Sequence, residues 1–139
     1  MADPFNLQRF VDAQQPAYRR VCEELRAGRK ESHWIWFVFP QIAGLGRSPT
    51  SVFYAISSLD EAKAYLAHPV LGPRLRECAR LVSQVERRTA REIFGSVDEM
   101  KFRSSMTLFA NAAPDEPFFA QCLEKYFGGS HDPATLEKL

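Results

Sequence analysis

Asp98, Lys101 and Ser105 stand at spacings of three and four residues, which place side chains on one face of a helix. Ser104 flanks them. A carboxylate beside a lysine suits general-base work, or stabilisation of an oxocarbenium ion in glycosidic cleavage. The lysine alone suits a phosphate. The plainer alternative is an acidic residue at a helix start and an ordinary Asp–Lys pair, worth roughly a few tenths of a kcal/mol.

A second candidate region is SHWIWFVFPQIAGLGRS, Ser32 to Ser48. Read as a strand over Ile35–Phe39, it points Trp34, Trp36 and Val38 one way and Ile35, Phe37 and Phe39 the other. Both faces are apolar, so most of this run is core. An indole at its edge, from Trp34 or Trp36, would offer a flat face for stacking a base. His33 opens the run. Gln41 follows the break at Pro40 and both donates and accepts, which suits a base edge or a ribose hydroxyl. Gly44, Gly46, Arg47 and Ser48 form a short loop that would hold phosphate through backbone N–H groups and a guanidinium. No GK[ST] follows, so this is not a P-loop. A plain structural loop is the competing reading.

The elements that must position these residues read as helices. Asp3-Pro4 suits a helix start, with Phe5, Leu7, Phe10 and Val11 on one face. A second helix runs from Gln15-Pro16 to Gly28, with Tyr18, Val21, Cys22 and Leu25 inward. Ser58 with Glu61 forms one capping box and Ser96 with Glu99 another. Between them lie a helix ending before Pro69, one from Leu71 to Val85, and a turn from Thr89 closed by Gly95. The helix after Ser96 carries Met100, Phe102, Met106, Leu108 and Phe109. Another starts at Asp115 and ends at Gly128-Gly129, and Asp132-Pro133 opens a last short one. The expected fold is mainly α, one compact helical domain over residues 1–139 with at most a small β element. Ser104 and Ser105 fall in a largely buried helix, where hydroxyls need partners or a polar cavity. The tail at Gly128–Pro133 reads as turn and cap.

Composition narrows the function classes. The 139 residues are 45% hydrophobic, enough for a core without disulfides. The net charge is +1, which gives no general attraction to nucleic acid or acidic membranes. Cys22, Cys78 and Cys122 lie far apart, with no CxxC and no zinc spacing. Their odd number argues against a disulfide framework and for a reducing, cytoplasmic setting. MADPFNLQRF has no long apolar run of a signal peptide, and Trp34–Phe39 is too short to span a bilayer.

The blocks HWIWFVFPQ, GLGRS, EAKAYLAHPVLGPRL, DEMKFRSSMTLFA and KYFGGSHDPATL, in this order, resemble the bacterial domain of unknown function numbered 1810. Some of its members carry the name calpastatin. The resemblance runs from about Phe5 to Leu139 and implies a mostly helical fold, without an activity. Asp98 to Phe109 is also similar in style to the NADAR domain, a small helical fold that cleaves N-glycosidic bonds of ADP-ribose and related compounds. Glu31 to Gln41 is loosely similar to the NADAR helix that carries a glutamate. A Trp-rich, Pro-broken run stands there in place of the NADAR aromatic pair and lysine, so no catalytic role passes to Glu31. The NADAR resemblance implies a nucleotide-like or ADP-ribose-type ligand, cleaved at its N-glycosidic bond by Asp98 and Lys101 without metal or redox cofactor. The alternative class is a non-catalytic interaction module. A concave cleft between the Gly44–Ser48 loop and the Asp98–Ser105 helix favours the first, and a convex apolar patch the second.

Overall fold

The computed structural model describes residues 2–139 and is mainly α. Its helices in chain order are α1 (Gln8–Gln14), α2 (Tyr18–Arg26), α3 (Ile35–Val38), α4 (Pro49–Phe53) and α5 (Leu59–Ala67). They continue with α6 (Leu71–Ser83), α7 (Ala90–Phe94), α8 (Asp98–Ala112), α9 (Pro117–Phe127) and α10 (Pro133–Leu136). The β content among the described residues is one isolated parallel bridge, Ile42 to Ile56. None of the described helices is long and apolar enough to cross a membrane.

α8 is the axis of the fold. Phe102, Ser104, Ser105, Met106, Thr107, Leu108, Phe109 and Ala112 are all buried, more than one apolar stripe would need. The reason is that α5, α7, α9, α10 and α3 pack around it. α6 closes the other side against α2, α5 and α9. The buried apolar side chains form one connected cluster. Phe39, Phe94 and Phe102 meet at its centre, with Phe39 edge-on to both and Phe94 stacked on Phe102 at 4.5 Å.

The expected strand at Ile35–Phe39 is a helical turn. Val38 N–H donates to the Trp34 carbonyl at 3.2 Å and Phe39 N–H to that of Ile35 at 3.0 Å. A short run in which every residue is apolar carries no periodicity that separates strand from helix, and here the helix prevails. Trp34, Ile35, Val38 and Phe39 are core, as expected, whereas Trp36 and Phe37 are half-buried.

Chain punctuation explains most of the other boundaries. The Asp3 carboxylate accepts from Leu7 N–H at 2.8 Å and Gln8 N–H at 3.0 Å, so regular helix begins later than Pro4. Ser58 caps α5 through Glu61 N–H, but the Glu61 side chain turns to Ser57 and Arg9, so the box is half formed. The complete capping box is Thr89–Glu92 at α7. Ser96 caps nothing; α8 starts after Val97 with no side-chain cap, and Glu99 pairs with Arg91. α9 likewise starts after Glu116 without a side-chain cap, not at Asp115. Gly128 ends α9 at φ +62°, and Asp132 caps α10.

Candidate functional site

The loop after α3 is pinned at its base. Ala43 N–H donates to Ile56 O, and Ile56 N–H to Gln41 O, both at 2.8 Å. Those two bonds close an excursion over residues 43–55 and fix Gln41 and Gly46 at its inner edge. Within it, Ser48 accepts from Ser51 N–H and caps α4, so the loop read at Gly44–Ser48 ends in a helical turn. A Cβ at Gly46 would stand 2.5 Å from the Ser51 Cβ, so this packing requires glycine.

On the opposite wall, α8 contributes Val97 just before its start, then Met100, Lys101, Arg103 and Ser104. The tail supplies a third wall. Arg103 donates to Ser130 O at 3.1 Å, Ser130 Oγ at 2.8 Å and His131 O at 3.0 Å. Asp132 N–H donates to Thr107 Oγ1 at 2.9 Å, and Asn111 Nδ2 lies 3.2 Å from His131 Nδ1. These bonds hold Asp132 and Ala134 against α8. Together the three walls enclose a cleft of about 330 Å³ whose floor and sides also include Gln41, Leu45 and Gly46.

The cleft has a polar strip and an apolar rim. Ser104 Oγ lies 2.9 Å from Asp132 Oδ2 and 3.0 Å from Met100 O. The same Asp132 oxygen accepts from Thr135 N–H at 3.2 Å and Thr135 Oγ1 at 2.6 Å. The Lys101 ammonium rests 4.9 Å above the Trp36 ring and 3.7 Å from Asp98 Oδ1. Val97 and Met100 are 66% and 69% exposed at the rim.

Asp98 itself faces inward. Its Oδ2 pairs at 2.8 Å with Lys30, whose side chain is only 6% exposed. Lys30 also donates to Ser32 O at 2.5 Å and lies 5.1 Å over the Trp34 ring. The carboxylate thus bridges a buried lysine and the lysine of the cleft, and Asp98 is not among the residues that line the cleft.

The remaining candidates divide between core and surface. Trp34 is 1% exposed and its Nε1 donates to Glu24 Oε1 at 2.9 Å, so neither face is open to a stacking base. Trp36 is half-buried behind Lys101; its Nε1 is buried without an acceptor among the described residues, beside a cavity of about 10 Å³ that shares Gln41 and Gly46 with the cleft. Ser105 is fully buried, its hydroxyl without a partner among the described residues, and lies outside the cleft. Gly44, at φ +98°, lies under the Lys138 side chain, and Arg47 and Ser48 are exposed beyond the cleft. His33 is exposed on another face, near Pro16, Arg19, Arg20 and Glu23. The structure therefore brings Gln41, Gly46, Lys101 and Ser104 together, and leaves His33, Trp34, Gly44, Arg47, Ser48 and Ser105 outside. Sequence reasoning missed Asp132 and Arg103 as site-forming residues. Asp132-Pro133 was legible as a cap, but no local pattern reports that Arg103 ties that cap to α8.

No group of three or more His, Cys, Asp or Glu side chains among the described residues is placed to hold a metal ion.

The family model for proteins of unknown function DUF1810 matches residues 4–139. The chain belongs to this family. A crystal structure of a family-like neighbour, the conserved hypothetical protein Rv1873 from Mycobacterium tuberculosis, superposes with a TM-score of 0.97 at 59% identity. The match covers 99% of this chain and 98% of that one. No curated protein matches the chain. DUF1810 membership accounts for the helical fold and assigns no activity to the cleft.

Proposed function

We propose that the cleft between the Gln41–Gly46 segment, α8 and the Asp132–Ala134 tail binds a compact phosphorylated ribosyl ligand of the mononucleotide or ribose-phosphate class. The observation that carries this is the position of the Lys101 ammonium beside Gln41, Ser104 and Asp132 in one concavity. Lys101 supplies charge for a phosphate. Gln41 and the Asp132 carboxylate supply donors and acceptors for sugar hydroxyls. Leu45, Val97, Met100 and Ala134 give apolar contact for a base, in place of the stacked indole that the sequence suggested. A volume near 330 Å³ stands at the small end of ligand sites, which favours a mononucleotide over intact ADP-ribose.

The resemblance of Asp98–Phe109 to NADAR suggests N-glycosidic cleavage as the reaction. In that reading Lys101 contacts the ligand. Asp98, held by Lys30, sets the position of Lys101 and approaches the anomeric centre only if a ligand displaces the lysine. Val97 and Met100, exposed at the rim, favour a second reading, an interaction surface for an apolar segment of another protein.

Thermal-shift measurements with AMP, ribose 5-phosphate and ADP-ribose on the wild type and Lys101→Met test the first reading. Ligand at about a hundred times its dissociation constant adds roughly 2.7 kcal/mol, several degrees for a chain of this size. A shift in the wild type that disappears in Lys101→Met supports it. No shift with any of the three transfers the weight to the interaction surface. Chromatographic release of free base from a shifting ligand separates an enzyme from a binding protein.

A further inference from the structure

Trp36 carries a polar group that the fold does not use. Its Nε1 is buried and has no acceptor among the described residues. An indole nitrogen can only donate, and native folds pair nearly all such buried donors. Trp34 shows the usual outcome, since its Nε1 donates to Glu24 Oε1 at 2.9 Å. The cavity that Trp36 lines has a volume of about 10 Å³, with Gln41, Gly46 and Ser51 among its other walls. That volume stands at the threshold for one oxygen-sized atom.

Two features join this cavity to the cleft. Gln41 and Gly46 stand in the walls of both. Lys101 reaches from the cleft over the same indole, with its ammonium 4.9 Å from the ring centroid. The absence of a side chain at Gly46 keeps the small cavity open. A Cβ there would stand 2.5 Å from Ser51 Cβ and 2.7 Å from Ser51 Oγ, inside its wall.

We propose that Trp36 Nε1 is the second phosphate donor of the cleft. One oxygen of a phosphate monoester enters the small cavity past Gln41 and Gly46 and accepts from the indole N–H, while another oxygen of the same phosphate meets the Lys101 ammonium. The proposal rests on the ligand reading above and adds the group that fixes where the phosphate sits. Lys101 supplies charge from a flexible stem, and the indole supplies a donor held in one direction by the core. A charged acceptor suits that donor best, because hydrogen bonds to an ionised oxygen are roughly twice as strong as neutral ones.

The local charges permit an anion. Asp98 and Asp132 oppose it, but each is already engaged. Asp98 pairs with Lys30 at 2.8 Å, and Asp132 Oδ2 accepts from Ser104 Oγ, Thr135 N–H and Thr135 Oγ1. Glu99, the next carboxylate on α8, pairs with Arg91 at 2.9 Å. Arg103, which also lines the cleft, spends its donors on neutral oxygens of Ser130 and His131. Lys30, Lys101 and Arg103 thus outnumber Asp98 and Asp132.

The two indoles make the test specific. In ¹⁵N-labelled full-length protein each tryptophan gives one indole N–H resonance, and Trp34, bonded to Glu24, is the internal control. Ribose 5-phosphate and AMP should move the Trp36 indole proton downfield and saturably. Ribose and adenosine, which lack the phosphate, should leave it in place, and the Trp34 indole should stay still throughout. Trp36→Phe keeps an aromatic ring beneath Lys101 and removes the donor, and should weaken ribose 5-phosphate roughly tenfold or more. An unshifted Trp34 indole resonance reports that this variant is folded, and the wild-type titration decides without it. If cleft amides shift with ribose 5-phosphate while the Trp36 indole does not, the proposal is overturned and the ligand reading stands. A Trp36 indole shift with adenosine, or an unchanged dissociation constant in folded Trp36→Phe, also overturns it. No shift at either place overturns both.

Discussion

The Glu24 carboxylate provides the most quantitative test of how this fold holds together. It accepts from Glu31 N–H at 2.8 Å, Ser32 N–H at 3.0 Å, Trp34 Nε1 at 2.9 Å and the Ser32 hydroxyl. One side chain of α2 thus organises the turn that delivers α3 to the core. Burial alone would raise its pKa, but the donors from Ser32, Glu31 and Trp34 outweigh it and hold the carboxyl down at about 2, against an ordinary 4.5. A carboxyl more acidic folded than unfolded stabilises the fold above its unfolded pKa, and that contribution fades as pH falls toward the folded one. The difference corresponds to about 3 kcal/mol at pH 7, present in full above about pH 5 and lost between there and pH 2. Glu24→Gln removes the charge and turns an amide N–H₂ toward groups that are themselves donors. Thermal and urea unfolding of both proteins at pH 7 should differ by about 3 kcal/mol, roughly 10 °C in Tm. By pH 3 the gap should have shrunk to less than half. A gap below about 1 kcal/mol at pH 7, or one indifferent to pH, would refute the reasoning.

Three further perturbations have definite outcomes. Arg9 donates to Phe5 O, Asn6 O, Phe53 O and Ala55 O and pairs with buried Glu61 at 2.9 Å; Arg9→Met should cost roughly 3–5 kcal/mol in urea unfolding, because it leaves that buried carboxylate without its counter-charge. At Gly72 a Cβ would stand 2.1 Å from the Leu66 carbonyl oxygen, a backbone atom no rotamer change can move, so Gly72→Ala should destabilise by roughly 3 kcal/mol or more in thermal unfolding. Arg103→Met keeps a stem of similar length but loses all three bonds to Ser130 and His131; proteolysis and amide exchange over residues 128–134 should accelerate while α6 and α9 keep their protection.

What the sequence made legible was local. Ser58, Gly28, Gly128 and Asp132 act through their own conformation or over three residues, and each marks a helix end where it was expected. The helical class followed from the stripes on α2, α6 and α9. The errors came where a distant contact decides. Every residue of Ile35–Val38 is apolar, so period carried no information there. Ser96 looks like a cap as good as Thr89, yet Glu99 is taken by Arg91 from the preceding helix. For the candidate site, Gln41, Gly46, Lys101 and Ser104 were legible as residue types suited to a ligand. Their meeting with Asp132 depends on the Ile42–Ile56 bridge and on Arg103, neither of which has a local signature. Asp98 and Lys101 were legible as neighbours, but not the buried Lys30 that holds Asp98 from the other side.

The proposed ligand site is tested most directly by titrating ribose 5-phosphate and AMP into isotope-labelled protein and following the backbone amides by NMR. The account predicts saturable shifts confined to residues 41–46, 97–104 and 130–134, the three walls around Lys101, and their loss in Lys101→Met. Shifts that cluster instead on the α2 surface near Arg19 and Arg20, or no saturable shift with either compound, would contradict it.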